Sequence, residues 1–145
     1  MTVKFPSSEF FTLLKEQMAA EQARFRRLGF IDTTFGVSVA HNGGARNFVL
    51  AFEIFELKDV HEVSELDLAR LDFAISGDLA VWREMIENIQ RHGEADTAHD
   101  LNTLAHFGEA LKVSYVEPEG HDKLYRFMES IQEFFDLSSK VEVTF

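Results

Sequence analysis

The hydrophobic period of the chain changes inside one short stretch. Leu71, Phe73 and Ile75 alternate with Asp72, Ala74 and Ser76, the period-two pattern of a half-buried strand. After Gly77-Asp78 the apolar positions become Trp82, Met85, Ile86 and Ile89, three and four apart, as on one face of a helix. Ser76 and Asp78 are good N-cap residues, and Gly77 between them permits a tight turn. The pattern predicts a strand that stops, turns within about two residues, and feeds a helix folding back onto its own sheet.

The same reading extends along the chain. Pro6-Ser7-Ser8-Glu9 starts a helix capped by Ser7, with Phe10, Phe11, Leu14, Met18, Phe25 and Leu28 on its apolar side and Gly29 ending it. Ile31, Phe35, Val37 and Val39 alternate as a strand. His41-Asn42-Gly43-Gly44 supplies residues that tolerate positive φ in a hairpin turn. The returning strand, Phe48 to Phe55, is apolar on both faces, so both are expected to be at least partly covered. A more charged strand over about Leu57 to Val63 suits a sheet edge. Arg91 to Thr97 is polar and aperiodic and predicts a mobile loop. Asp100 caps a short helix carrying Leu101, Leu104 and Phe107, with Gly108 at its end. Leu111, Val113 and Tyr115 form a fifth strand broken by Pro118-Glu119-Gly120. Asp122 caps a last amphipathic helix with Leu124, Phe127, Met128, Ile131, Phe134 and Phe135. Val141, Val143 and Phe145 alternate at the end, as an edge strand or a docked tail. About five strands and four helices in 145 residues predict one domain built on a single sheet covered by helices.

Composition narrows the function. Fifteen phenylalanines against two tyrosines and one tryptophan can line a dry interior without hydrogen-bond partners, either as a filled core or around an apolar ligand. A formal charge of −11 repels phosphate backbones and anionic headgroups, which argues against nucleic acid and against docking on membranes. Arg24, Arg26 and Arg27 form the one local basic cluster, and three arginines on a helix are ordinarily solvated. The absence of cysteine excludes disulfides, thiolate metal sites and cysteine nucleophiles. With neither a signal peptide nor an apolar run of about 20 residues, the expectation is a cytoplasmic protein with no stable membrane insertion.

No catalytic constellation has the required spacing, so no enzyme activity, cofactor or metal is expected. Gly43-Gly44 lacks the following helix of a phosphate-binding loop. His99 and His106 are seven apart, wider than helical zinc pairs. Asp32 and Glu53 could meet across the hairpin, but solvated charges are the simpler reading. Asp72 alternates outward from its strand and reads as surface-facing.

The run Asp72-Phe73-Ala74-Ile75-Ser76-Gly77-Asp78-Leu79-Ala80-Val81-Trp82-Arg83-Glu84-Met85-Ile86 resembles the strand-glycine-helix segment of the sterol carrier protein type-two family. Phe48 to Glu53 resembles its central strand, and Gly108-Glu109-Ala110-Leu111-Lys112-Val113 its late strand. The resemblance covers about residues 30–137 and leaves 138–145 as an additional tail. It implies an α+β fold, a five-stranded mixed sheet covered by helices with an apolar tunnel between the layers, and a non-catalytic carrier of a lipid, sterol, fatty acid or acyl-CoA. Phe52, Ile75, Trp82, Phe127, Ile131 and Phe135 are the expected ligand lining. Two departures stand at the implied tunnel mouth: the longer connection Ser114 to Gly120 and the tail Lys140 to Phe145. The alternative is an interaction module, accessory to an enzyme of lipid or steroid metabolism, whose tail and open edge strand support a homodimer.

Overall fold

Ser7 is extended (φ −166°) and its hydroxyl accepts from the Phe10 amide at 3.1 Å, so the first helix starts where the sequence places it. The computed structural model describes residues 2–106 and 110–145. Its elements are β1 (Thr2–Lys4), α1 (Ser8–Ala20), α2 (Gln22–Leu28), β2 (Thr33–His41), β3 (Gly44–Glu53), β4 (Glu56–Val63), β5 (Phe73–Asp78), α3 (Leu79–His92), α4 (Leu101–His106), β6 (Lys112–Ser114), α5 (Pro118–Arg126), α6 (Met128–Asp136) and β7 (Glu142–Thr144). Phe107 and Gly108, expected to close the short helix, lie outside the described residues, as does Glu109 of the late-strand resemblance.

Five strands form one sheet in the order β4-β3-β2-β5-β6. β5 runs parallel to β2, and the other neighbours are antiparallel, so the sheet is mixed as expected. Asn42 (φ 53°) and Gly43 (φ 78°) make the β2–β3 turn, where left-handed backbone suits these two residue types. One face presents Phe35, Val37, Phe48, Leu50, Phe52, Phe73 and Ile75, all buried against the helices. The opposite face carries Thr34, Gly36 and Ser38, and the segment after β4 crosses part of it. There Leu66 and Leu71 lie so close to Gly36 that a Cβ would meet the Leu66 methyls at 2.8 and 2.9 Å.

Four details depart from the sequence reading. The expected single helix from Ser8 to Leu28 breaks at Glu21, and the last one breaks at Phe127, so that α1–α2 and α5–α6 each bend over the sheet. Pro118 starts α5 instead of interrupting the chain, because its missing N–H costs nothing in a first helical turn. Asp122 therefore lies inside α5 and does not cap it. No turn separates β5 from α3: Asp78 ends the strand and occupies the N-cap position without a side-chain cap bond. Ser76 stays in the strand, and Gly77 serves a close approach, since a Cβ there would lie 2.5 Å from a Leu111 methyl.

The tail is docked within the chain. β7 pairs in parallel with β1, a strand the sequence reading missed, joining Val3 to Val143. The Phe5 and Phe145 rings meet at 6.2 Å. No helix among the described residues is long and apolar enough to cross a membrane.

Candidate ligand-binding site

The helix layer closes onto the sheet through a continuous run of aromatic rings. Phe35 of β2 stacks on Phe73 at 4.8 Å and on Phe52 at 5.7 Å. Phe52 meets Phe134 of α6 edge-on at 5.1 Å, Phe134 meets Phe135 at 5.6 Å, and Phe135 meets Trp82 of α3 at 5.8 Å. Phe11 of α1 completes the layer against Phe48 and Phe135. Such tilted and edge-to-face contacts satisfy the ring quadrupoles while removing large apolar areas from water.

All six expected lining residues fall in this layer: Phe52, Ile75, Trp82, Ile131 and Phe135 are buried, and Phe127 is 7 % exposed at its margin. Trp82 also anchors α3 to the sheet, its indole Nε1–H donating to the Ser38 carbonyl at 3.3 Å. The helix thus packs directly on β2 and does not stand off it. Ring contacts from Phe35 through Phe52, Phe134 and Phe135 to Trp82 run across the space where the resemblance implies a tunnel.

The layer reaches the surface beside β6. A groove of about 540 Å³ opens between α4, β6 and α5, lined by Ala105, Leu111, Val113, Tyr115, His121 and Tyr125, with Lys112 at its rim. Val113 sits opposite Ile75 in the β5–β6 register, so one cross-strand pair joins the groove floor to the buried layer. His121 stacks on Tyr115 at 4.2 Å with 5° between the planes, and Tyr125 meets it edge-on at 5.0 Å. Only the apolar Leu111, Val113 and Tyr115 of this groove were visible in sequence. The two partner rings come from α5, which Pro118-Glu119-Gly120 hid as a break.

Beside the layer lies a polar clasp. Asp136, at the end of α6, accepts from the Ala95 amide at 3.2 Å and from Gln132 Nε2 at 2.9 Å. Burial nevertheless pushes its carboxyl up to about 6. Asn88 and Asp96 exchange two hydrogen bonds, at 3.0 and 2.9 Å, and Gln132 Oε1 accepts from the Leu101 amide at 2.7 Å. The segment expected to be a mobile loop is therefore tied at Ala95 and at Asp96. His99 hydrogen-bonds Asp96 at 2.7 Å and is the main reason that carboxyl is held down at about 2. No group of three or more acids and histidines among the described residues could hold a metal.

Asp72 is likewise not the surface-facing residue its alternation suggests. Its carboxylate accepts from Thr33 Oγ1 at 2.8 Å and the Thr34 amide at 3.0 Å, with Lys123 Nζ of α5 at 3.5 Å. These contacts tie the start of β5 to β2 and α5. Asp32 and Glu53 are both exposed.

With this arrangement in view, solved structures supply the likeness. A solution structure of a conserved hypothetical protein from Thermus thermophilus, described as possibly a sterol carrier protein, matches over 95 % of this chain and 90 % of that one, at a TM-score of 0.71 and 16 % identity. A crystal structure of sterol carrier protein 2 matches over 92 % and 95 %, at a TM-score of 0.67 and 14 % identity. The chain has the sterol carrier protein 2 fold. No family profile matches it, and no curated protein does.

Proposed function

We propose that this chain is a non-catalytic carrier of an apolar small molecule, a lipid, sterol, fatty acid or acyl-CoA, held between the sheet and the helices. The observation that carries the reading is the continuity of the phenylalanine-rich layer with the α4–β6–α5 groove through the Ile75–Val113 pair. The sterol-carrier fold supports it. A ligand chain laid in from the groove displaces side chains of the layer, with Ile75, Trp82, Phe127, Ile131, Phe135 and Phe52 as its lining. Each methylene buried contributes about 0.8 kcal/mol, so a chain of about ten offsets the cost of ordering it.

The test is native mass spectrometry of the purified protein together with displacement of a fluorescent fatty acid. Bound apolar ligand is expected, and Val113→Trp, which fills the groove, weakens probe binding by about ten-fold without lowering the melting temperature. A protein that purifies empty and binds no apolar probe overturns the proposal.

The alternative of an accessory or self-associating module rests on the sheet edges, where β4 stands at one end as expected and β6 at the other. Tyr115 and Val116 (44 % and 56 % exposed) follow β6, the short strand at the sheet edge. The C-terminal tail no longer supports it, because β7 is already engaged with β1. Sedimentation of Val116→Ser against the unaltered chain tests it: equal association state in both removes this reading.

A further inference from the structure

The segment that follows α3 crosses the helix layer with little burial of its own. Gly93, left-handed at φ 85°, ends α3 and begins it. From there to Ala105 only Leu101 is buried, whereas α3 and α6 each bury five residues. Ala95 and Leu104 pack on the layer while staying partly exposed. A segment with so few buried apolar contacts opens at a lower free energy than the core it covers. Polar ties hold it closed.

Two residues one turn apart on α6 make the main tie. Asp136 accepts from the Ala95 amide. Gln132 donates to the same carboxylate oxygen and accepts from the Leu101 amide, so one linked pair grips the segment before α4 and at its first residue. The Asn88–Asp96 exchange adds a tie to α3. Asp136 is 4 % exposed. The charges that act on it are Glu133 and Arg24, and these pair with each other. Of the other charged groups around it, Lys140 pairs with Glu21, Asp96 pairs with His99 inside the segment, and Asp100 accepts from the Thr103 amide. An ionised Asp136 thus has two hydrogen bonds to set against its burial and no cation of its own.

We infer that residues 93–106 are a strap over the ligand layer, latched by Asp136 and Gln132 and released when Asp136 loses its proton. The inference rests on the carrier reading and supplies its gate. α4 is one wall of the groove, through Ala105, and it lies on α6, which carries Ile131 and Phe135. Movement of the strap therefore widens the groove towards those side chains. Release follows from solvation, because opening lets water reach a carboxylate that the closed strap keeps dry. The carboxyl titrates near 6 in the closed chain and returns towards the ordinary 3.8 in the open one. Below about pH 4 both forms hold the proton and the strap stays latched. Opening then grows up to about pH 6 and levels off above it, a rise of about ten-fold from pH 5 to pH 7.

Amide hydrogen exchange of the whole chain, read by NMR and corrected for base catalysis, tests the latch. The Ala95 and Leu101 amides are expected to exchange at least about ten-fold faster than the Ile86 amide of α3, and their opening to rise about ten-fold from pH 5 to pH 7. Asp136→Asn removes the rise, and His99→Gln keeps it, since His99 and Asp96 move together. Gln132→Ala opens the strap about ten-fold more at pH 5. Release of bound pyrene, an apolar dye without charge, to excess cyclodextrin tests the gate: it quickens over the same pH range in the unaltered chain and is level in Asp136→Asn. The inference is overturned by strap amides that exchange only together with Ile86. A rise that survives Asp136→Asn overturns it too, as does pyrene release that ignores pH while the strap opens. A chain that binds no pyrene overturns the carrier reading and the gate with it; strap amides that nevertheless open ahead of Ile86 tell that failure apart from failure of the latch.

Discussion

The carbonyl oxygen of Asp72 occupies the place where a side chain at residue 120 would begin. A Cβ built on Gly120 falls 1.9 Å from that oxygen and 2.7 Å from its carbon. Backbone of α5 therefore lies directly on backbone at the start of β5, and only glycine allows it. The contact brings Lys123 to Asp72 and sets α5, with His121 and Tyr125, along one wall of the groove.

Gly120→Ala is accordingly expected to destabilise the fold by more than about 3 kcal/mol, because neither partner in the clash is a movable side chain. Gly44→Ala is the control, since its Cβ would meet nothing closer than 3.9 Å. It should stay within about 0.5 kcal/mol. Urea titrations of both variants check the contrast.

Ile54→Gly should raise stability by about 1 kcal/mol. Relief of the left-handed strain exceeds the extra chain entropy of glycine, and the exposed side chain gives up little burial. Thermal melts should show a rise of about 2–4 °C for a chain of this length.

Asp136 makes stability depend on pH. Its carboxyl titrates near 6 in the folded chain against 3.8 for an ordinary aspartate, so the folded state holds the proton more tightly. Its contribution is fully present below about pH 4 and is lost as pH rises through about 6. Above that, keeping the buried carboxylate costs on the order of 2 kcal/mol. Asp136→Asn still accepts from the Ala95 amide. It should melt higher than the unaltered chain at pH 7.5, with the gap closing towards pH 4. A gap that widens on acidification would contradict this account.

Trp82→Phe removes the indole N–H from the Ser38 carbonyl and leaves a small void beside Phe135. A loss of about 1–3 kcal/mol is expected in denaturant titrations.

Much of the scaffold was legible because long segments bury one face. β2, β3, β5 and α3 show their periods plainly, and Asn42-Gly43 marks its turn through the conformations those residues tolerate. The six lining candidates were recognisable as buried, since each sits on an apolar face, but nothing in their spacing tells a filled layer from a hollow one. Asp72 was misread because alternation reports which way a side chain points, and not whether Thr33 and Lys123 wait there. The β1–β7 pair was invisible: three-residue strands carry no period, and their partners lie 140 residues apart. Pro118 could break a helix or begin one, and packing against Asp72 decided for the second.

By itself the sequence determined the class of fold and the phenylalanine-rich interior, because burial periodicity and residue chemistry are local properties. The tertiary structure decided what touches what. It closed the helices onto the sheet through Trp82 and Phe135, opened the groove beside Val113, and turned Asp72 from a surface charge into a tie. Those outcomes depend on distances between residues far apart in the chain, which close packing fixes and local pattern does not encode.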